Sequence, residues 1–122
     1  MASLDESLLS YDDPLRVYVR EVCAVPALSR EEEVDCVEHV RAGDEMAESA
    51  GKRLAEAHLL LVVSIAERHR NGRTHILHLI QKGNEGLMRA VETLRESSYD
   101  SFSAHATGHI ERAIAEAVDG SG

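Results

Sequence analysis

Aromatic residues are scarce in this chain. Tryptophan is absent, and phenylalanine and tyrosine together make up 3% of its 122 residues. The hydrophobic core must therefore be built from leucine, valine, isoleucine and alanine. A chain of this length forms one domain and buries roughly 65% of the surface of its unfolded state. The sequence accordingly predicts a single domain with an aliphatic core.

Long apolar runs and paired cysteines are also missing. No run approaches the roughly 20 residues that a membrane-spanning helix needs, and the residues before Leu8 are acidic, which argues against a secretory signal peptide. Cys23 and Cys36 lack the spacing of a metal-binding pair, and reduced thiols are favoured over a disulfide. These features predict a cytoplasmic protein that does not enter a membrane.

Positive charge is in deficit, since the net charge is −9. The chain carries −9 up to Gly51, +4 from Lys52 to Arg95 and −4 from Glu96 onward. Nonspecific affinity for nucleic acid comes mostly from lysine and arginine side chains that neutralise phosphates. As a stand-alone DNA-binding protein, this chain is poorly equipped.

Motifs of catalysis are absent from the sequence, which contains no Ser/His/Asp arrangement, phosphate-binding loop or cofactor motif. We therefore expect neither an enzyme nor a cofactor. Among seven histidines, His105 and His109 are four residues apart and His75 and His78 are three apart, so either pair could face one ion on a helix. Without a His-Glu-x-x-His motif or a nearby cysteine, surface histidines are favoured and no metal site is predicted. A metal-responsive switch remains the weaker alternative.

Helix signals follow one another along the first half of the chain. After a flexible arm at residues 1–11, Asp13-Pro14 starts a first helix, with aspartate as cap and proline at the first helical position. Ser29 and Glu32 form a capping box for a second helix. Gly43-Asp44 ends that helix, and Asp44 is expected to cap a third, from about 45 to 69, which Gly51 weakens or splits.

Two further helices are predicted in the second half. Asn71-Gly72 is a strong turn signal, and Thr74 can cap the fourth helix. A polar linker covers residues 96–101, a last helix runs from about 103 to 118, and residues 120–122 form a disordered tail. No strand pattern or repeat is present. The sequence thus predicts an all-α, compact bundle of about five helices, with its domain at residues 12–119.

The most informative stretch runs from His58 to Leu94. Leu59 to Ile65 is apolar except at Ser64, which indicates a helix buried on nearly all sides. In the fourth helix, five residues recur at steps of three and four and so share one face: Leu77, Ile80, Asn84, Leu87 and Val91. The opposite face is polar with one exposed methionine and suits a partner helix: Gln81, Lys82, Glu85, Met88, Arg89 and Glu92.

Two glycines share a face of this fourth helix. Gly83 and Gly86 each cost roughly 1 kcal/mol relative to alanine in a helix interior. Close packing against another helix of the same domain would explain them. So would the close approach of a partner's backbone, and the sequence leaves both explanations open.

These segments resemble a known family. Residues 59–66, followed by 79–92, closely resemble the core-binding segment of the sigma-70 family of bacterial transcription initiation factors. Residues 13–22 resemble the family's first helix, and residues 102–114 its promoter-melting helix. The likeness is colinear from about Asp12 to Val118. It implies a helical domain that binds the RNA polymerase core and regulates transcription initiation.

The resemblance also implies which residues meet polymerase. In the family, the fourth helix docks on a coiled coil of the largest subunit, and the matching positions are Leu77, His78, Gln81, Lys82, Asn84, Glu85 and Met88. Here His78 stands for an aspartate, Lys82 for a glutamate and Glu85 for an isoleucine. Because the family's acidic pair meets arginines, these changes replace attraction with neutrality and repulsion.

The last helix departs further from the family. The implied DNA-facing positions are Phe102, His105, Thr107, Gly108, His109 and Arg112. Family aromatics there stack on promoter bases and wedge them open, whereas this chain has His105, Gly108 and His109. Glu111 replaces an arginine. The resemblance therefore implies weak or absent binding to promoter DNA and impaired melting.

Two functions follow as hypotheses. The first is a sigma-70-like initiation factor domain that acts through contacts with RNA polymerase. The second is a sigma-factor mimic that binds an anti-sigma factor or another regulator without binding DNA. No helix-turn-helix pattern follows the last helix, so the chain is expected to be either part of a longer factor or a short sigma-like protein.

Overall fold

The computed structural model describes residues 14–72, 74–95 and 101–121, and in these ranges every regular element is a helix. The six α-helices are α1 (Pro14–Cys23), α2 (Arg30–Ala42), α3 (Ala47–Ala57), α4 (Leu59–Arg68), α5 (Ile76–Glu92) and α6 (Phe102–Ser121). A 3₁₀ turn, Thr93–Arg95, extends α5. The predicted all-α class is confirmed.

The predicted third helix is two helices, and the break lies at His58 rather than at Gly51. The backbone N–H of His58 bonds to the carbonyl of Ala55 at 3.0 Å, while its Nδ1 lies 2.7 Å from the carbonyl oxygen of Leu54. The side chain has thus taken the carbonyl that the backbone N–H of His58 itself would use in a continuous α-helix, and such an insertion is a recognised cause of helix kinks. Gly51 lies inside α3, where an added Cβ would be 3.0 Å from Cγ1 of Val91.

The predicted caps are only partly correct. The Ser29–Glu32 capping box is confirmed, with N–H to side-chain distances of 3.1 and 2.9 Å. Gly43 ends α2 in a left-handed conformation at φ 63°. Asp44, however, is not the cap of α3, because that position belongs to Met46, whose N–H donates to Oδ1 of Asp44 at 2.9 Å.

The cap of α5 also differs from the prediction. His75 occupies it in place of Thr74, and Nδ1 of His75 accepts the N–H of Leu77 at 3.1 Å. An imidazole with an unprotonated Nδ1 can accept a backbone hydrogen bond as a hydroxyl does. His75, the residue after Thr74, can therefore serve as the cap.

The core is aliphatic, as predicted, with one aromatic exception. The largest fully buried side chains are Phe102, Leu54, Ile65, Leu79, Leu87, Leu94, Ile110, Ile114 and Val62. They lie mainly between α5 and α6, the most extensive helix pair, with α4 and α3 packed beside α5. Burial of such side chains contributes roughly 1.5–3 kcal/mol each.

The two glycines of α5 are explained by packing within the domain. An added Cβ at Gly83 would lie 2.6 Å from Cγ1 of Val62, and one at Gly86 would lie 2.5 Å from the carbonyl oxygen of His109. Neither position has room for a side chain. The two glycines therefore allow α5 to lie directly against α4 and α6. The intramolecular explanation is confirmed.

The boundaries of the domain compare with the prediction as follows. Helix α6 begins at Phe102 and continues past the expected end at Val118, so residues 120 and 121 belong to the helix rather than to a disordered tail. The arm at 1–11, Asp13, the linker at 96–100 and Gly122 lie outside the described residues, and the domain limits of 12 and 119 stay a prediction. Within the described ranges, no helix is both long and apolar enough to cross a bilayer.

Candidate functional site

The outer face of α5 is the first candidate site. Its exposed residues include His78, Gln81, Glu85 and Met88, with Lys82 half-exposed between them. We call these five residues the docking face. The side chain of Met88 is among the most exposed large apolar ones, at 44%. A polar helical surface that ends on one exposed apolar residue suits a partner helix.

Charges on the docking face are paired locally. Nζ of Lys82 lies 3.6 Å from a carboxylate oxygen of Glu85, one turn along α5. Both side chains are more than a third exposed, so solvent screens the pair and its contribution to stability is small. The pair therefore matters more for what it presents to a partner than for the fold.

Two residues implied as polymerase contacts turn toward the domain. Leu77 is half-buried and packs against the core. Asn84 is also half-buried, and its Nδ2 donates to the hydroxyl of Tyr18 on α1 at 3.2 Å, whereas its Oδ1 is buried without a partner among the described residues. The structure therefore brings five of the seven implied contacts to one surface and places these two at its inner margin.

An apolar groove adjoins the docking face and was missed by sequence reasoning. It lies between α3 and α5, has a volume of about 440 Å³ in open contact with solvent, and is lined by Gly51, Ala55, Leu59, Met88 and Val91, among others. Apolar positions of α3 and α5 at helical spacing, together with Leu59 at the start of α4, form it. The sequence patterns indicated Gly51, Leu59, Met88 and Val91 separately, but they could not indicate the groove, because the register of α3 against α5 cannot be read from either helix alone.

The outer face of α6 is the second candidate site, and Phe102 does not belong to it. Phe102 is fully buried, and its ring meets the imidazole of His58 edge-on at a centroid distance of 4.8 Å. Steps of four from Phe102 reach Ala106, Ile110 and Ile114, all in the core. The assignment of Phe102 as DNA-facing is wrong, because it starts the inward stripe of its helix.

His105 and His109 fold back against the end of α5. Nε2 of His105 lies 3.0 Å from Oγ1 of Thr93 and 3.0 Å from the carbonyl oxygen of Ala90. Nε2 of His109 lies 3.4 Å from the same Oγ1, and the two rings meet edge-on at 4.9 Å. Burial, followed by the neighbouring His105, Arg112 and Arg89, lowers the pKa of His109.

The remaining DNA-facing positions are small or polar. Gly108 is exposed, and a Cβ there would meet no atom within 4 Å. The hydroxyl of Thr107 donates to the carbonyl of Ser103 at 2.8 Å, and Arg112 is exposed. Glu111 lies 3.6 Å from Arg68, an exposed pair. This face offers no aromatic surface from the described residues.

A buried polar contact at the start of α6 was also missed. His58 is only 8% exposed, and its Nε2 lies 3.2 Å from Oγ of Ser103 and 3.6 Å from a carboxylate oxygen of Glu33. This contact joins α2, the α3–α4 break and α6. No spacing in the sequence indicates it, since the three residues are far apart in the chain.

The fold is that of an all-α domain with two candidate faces, and comparisons with known proteins show its family. The model of the family described as Sigma-70 region 2 matches residues 54–120, and that of Sigma-70 factor, region 1.2 matches residues 13–46. The first match alone covers more than half of the chain. The chain belongs to the sigma-70 family.

Curated relatives agree with this assignment. The chain is 46% identical over 110 residues to an RNA polymerase sigma factor SigA of Clostridium acetobutylicum, which covers 90% of this chain and 28% of the relative. It is 45% identical over 107 residues to the SigA of Lactococcus lactis subsp. cremoris, covering 88% of this chain and 29% of the relative. The chain therefore spans less than a third of the curated relatives that it matches.

Proposed function

We propose that this domain is part of a transcription initiation factor and binds the RNA polymerase core through the docking face of α5. The observation that carries the proposal is the exposure of Met88, which is 44% exposed at the edge of an apolar groove and has polar neighbours on α5. The curated relatives of the chain are named RNA polymerase sigma factors. Binding to polymerase would place the domain in the cytoplasm, in a non-enzymatic role.

Met88 supplies the apolar part of the proposed contact. Complete burial of a methionine side chain contributes roughly 1.5–3 kcal/mol, and Met88 still has much of this to gain. Interfaces usually depend on a few such residues enclosed by polar neighbours. Glu85, exposed one turn before Met88, supplies a polar neighbour of this kind, and Gln81 is exposed a further turn along the same face.

Charge sets the strength of the proposed contact. His78 and Lys82 stand where the family resemblance implies acidic residues opposite arginines of the polymerase coiled coil. Lys82 is already neutralised in part by Glu85 at 3.6 Å. We therefore propose that binding to the core is weaker than the resemblance alone implies, since two attractive pairs are replaced.

Impaired promoter melting is the second part of the proposal. Opening a duplex requires surfaces that compensate unstacked bases, which aromatic side chains provide. Gly108 offers no side chain, and the imidazoles of His105 and His109 are directed to Thr93. Contact with promoter DNA would therefore be weak or absent.

A sigma-factor mimic is the second candidate function. The net charge of −9 and the polar outer face of α6 favour a protein partner over DNA. An anti-sigma factor or another regulator would then occupy the docking face in place of polymerase.

The test is binding to purified RNA polymerase core. We expect a Kd below about 1 µM, weakened at least about tenfold by Met88→Ala or Gln81→Ala. Val34→Ala on α2 is the matched control, because Val34 is 48% exposed but lies outside the docking face. Failure to bind core at about 50 µM would contradict the proposal and favour the mimic.

A further inference from the structure

We propose that Asn71 is a covalent modification site, at which the side-chain amide is lost spontaneously and replaced by a carboxylate. The chain contains two asparagines, Asn71 and Asn84, and the first is followed by glycine in the connection between α4 and α5. Both residues of this Asn-Gly pair are exposed. The modification does not depend on the function proposed above, because it needs water and no partner.

The reaction is an attack of the backbone on the neighbouring side chain. The backbone nitrogen of Gly72 loses its proton and forms a bond to Cγ of Asn71. The bond from Cγ to Nδ2 breaks, and the amide nitrogen leaves as ammonia with the equivalent of that proton. Water then opens the succinimide ring at either of its carbonyl groups. The products are aspartate and isoaspartate, and no oxidant, reductant or cofactor takes part.

The attacking nitrogen is unhindered. Among the described residues, nothing accepts a hydrogen bond from the backbone N–H of Gly72. Gly72 has a φ of 78°, and no atom lies within 4 Å of the position that a Cβ would take. Because glycine has no side chain, nothing at residue 72 shields its nitrogen from the carbonyl that it attacks.

The attacked carbonyl is polarised by a nearby backbone group. Oδ1 of Asn71 accepts the N–H of Thr74 at 2.9 Å. This oxygen becomes negatively charged when nitrogen adds to Cγ, and a fixed N–H donor stabilises such a charge as an oxyanion hole does. The contact also restrains the side chain to the turn that contains the attacking nitrogen. The nucleophile and the activated amide therefore lie in one short loop.

Asn84 provides an internal comparison. It is half-buried inside α5, and its Nδ2 donates to the hydroxyl of Tyr18 at 3.2 Å. The next backbone nitrogen, that of Glu85, belongs to the helix. Ring closure there requires local opening of α5, which occurs in a small fraction of molecules at any time. The folded chain therefore directs the reaction to Asn71 rather than to Asn84.

The test is incubation of the folded 122-residue chain in buffers of increasing pH. Cleavage after Glu67 and Glu85 gives one peptide, residues 68–85, that contains both asparagines. Tandem mass spectrometry of this peptide follows the conversion of each amide to a carboxylate separately. We expect conversion at Asn71 to be at least about tenfold faster than at Asn84, with a ratio that falls in urea because α5 then no longer protects Asn84. The rate at Asn71 should rise with pH, because Gly72 must lose a proton.

Gly72→Ala is the matched variant, since an added methyl group meets no other atom but shields the nitrogen. It should slow conversion at Asn71 by about tenfold and leave Asn84 unchanged. Equal rates at the two asparagines, a rate at Asn71 that does not depend on pH, or a folded-state rate less than about a tenth of that in urea would overturn the proposal. If circular dichroism shows that Gly72→Ala does not fold, the comparison of folded and urea-treated wild-type chain decides the question.

Discussion

Helices α5 and α6 pack against each other along their inner faces, yet their outer faces differ. On α5 the outer face presents Met88 beside an apolar groove. On α6 it presents Gly108, with the imidazoles of His105 and His109 turned back to Thr93. Among the described residues, the outer face of α5 therefore exposes an apolar side chain, whereas the outer face of α6 exposes no aromatic ring. The inner faces of both helices must stay apolar for the domain to fold, whether or not the outer faces bind a partner.

Phe102→Ala tests whether Phe102 belongs to the inner face of α6, and its expected effect on the free energy of unfolding is the largest. Because Phe102 is completely buried, we expect the free energy of unfolding to fall by about 3–5 kcal/mol, measured by urea denaturation. A DNA-facing side chain would instead leave stability within about 0.5 kcal/mol of the wild-type value. Such a small change would mean that the helix is rotated from the orientation described.

Glycine substitutions separate the inner and outer faces with the same chemical change. Gly86→Ala should lower the free energy of unfolding by about 2 kcal/mol, because the new Cβ would lie 2.5 Å from the backbone oxygen of His109 and overpacking outweighs the gain in helix propensity. Gly108→Ala should raise it by about 0.5–1 kcal/mol, since nothing lies within 4 Å. Equal signs in the two urea titrations would contradict the packing of α5 on α6.

Periodicity predicted the helical class, the scarcity of aromatic residues predicted the aliphatic core, and the spacing of Ser29 and Glu32 predicted the capping box. It could not predict the break at His58, because that break arises when a side chain competes with the backbone for the Leu54 carbonyl. A helix-forming stretch does not reveal this competition. The outcome also depends on Ser103 and Glu33, which reach His58 only in the folded chain.

The candidate site was predictable to a similar extent. Helical spacing places Gln81, Lys82, Glu85 and Met88 on one face, and the structure agrees. The directions of His105 and His109 were not predictable, since half-buried flank positions can turn toward solvent or toward a neighbour. Both rings turn toward the neighbouring helix because they contact the hydroxyl of Thr93. Thr93 lies in a 3₁₀ turn that no sequence pattern indicated.

Lys82→Glu tests whether the positive charge on the docking face limits binding to the polymerase core. If the polymerase surface opposite is basic, the substitution should tighten binding to the core by roughly tenfold, about 1.4 kcal/mol, since repulsion becomes attraction. Stability should change little, because the pair with Glu85 is exposed. Arg30→Glu, at an exposed arginine on α2 away from the groove, serves as the control for net charge. Equal effects of the two substitutions would show that long-range charge, rather than the docking face, governs binding.

The smallest expected effect is the pH dependence that His109 gives to the packing of α6. Its pKa is lowered in the fold, by burial first, so the unfolded chain takes up the proton first as the pH falls below about 6.5. Stability from this group is therefore complete above that pH and is lost as the pH falls toward the lowered value. His39 acts in the opposite sense, because Asp44 raises its pKa.

Urea denaturation between about pH 8 and pH 5, in a His39→Asn background, isolates the contribution of His109. We expect the free energy of unfolding to decline less steeply toward acid after His109→Asn than before it. A steeper decline in the His109→Asn variant would mean that this imidazole gains rather than loses protons on folding. The ring would then face solvent or an acidic partner instead of Thr93, and the outer face of α6 would be less different from that of α5.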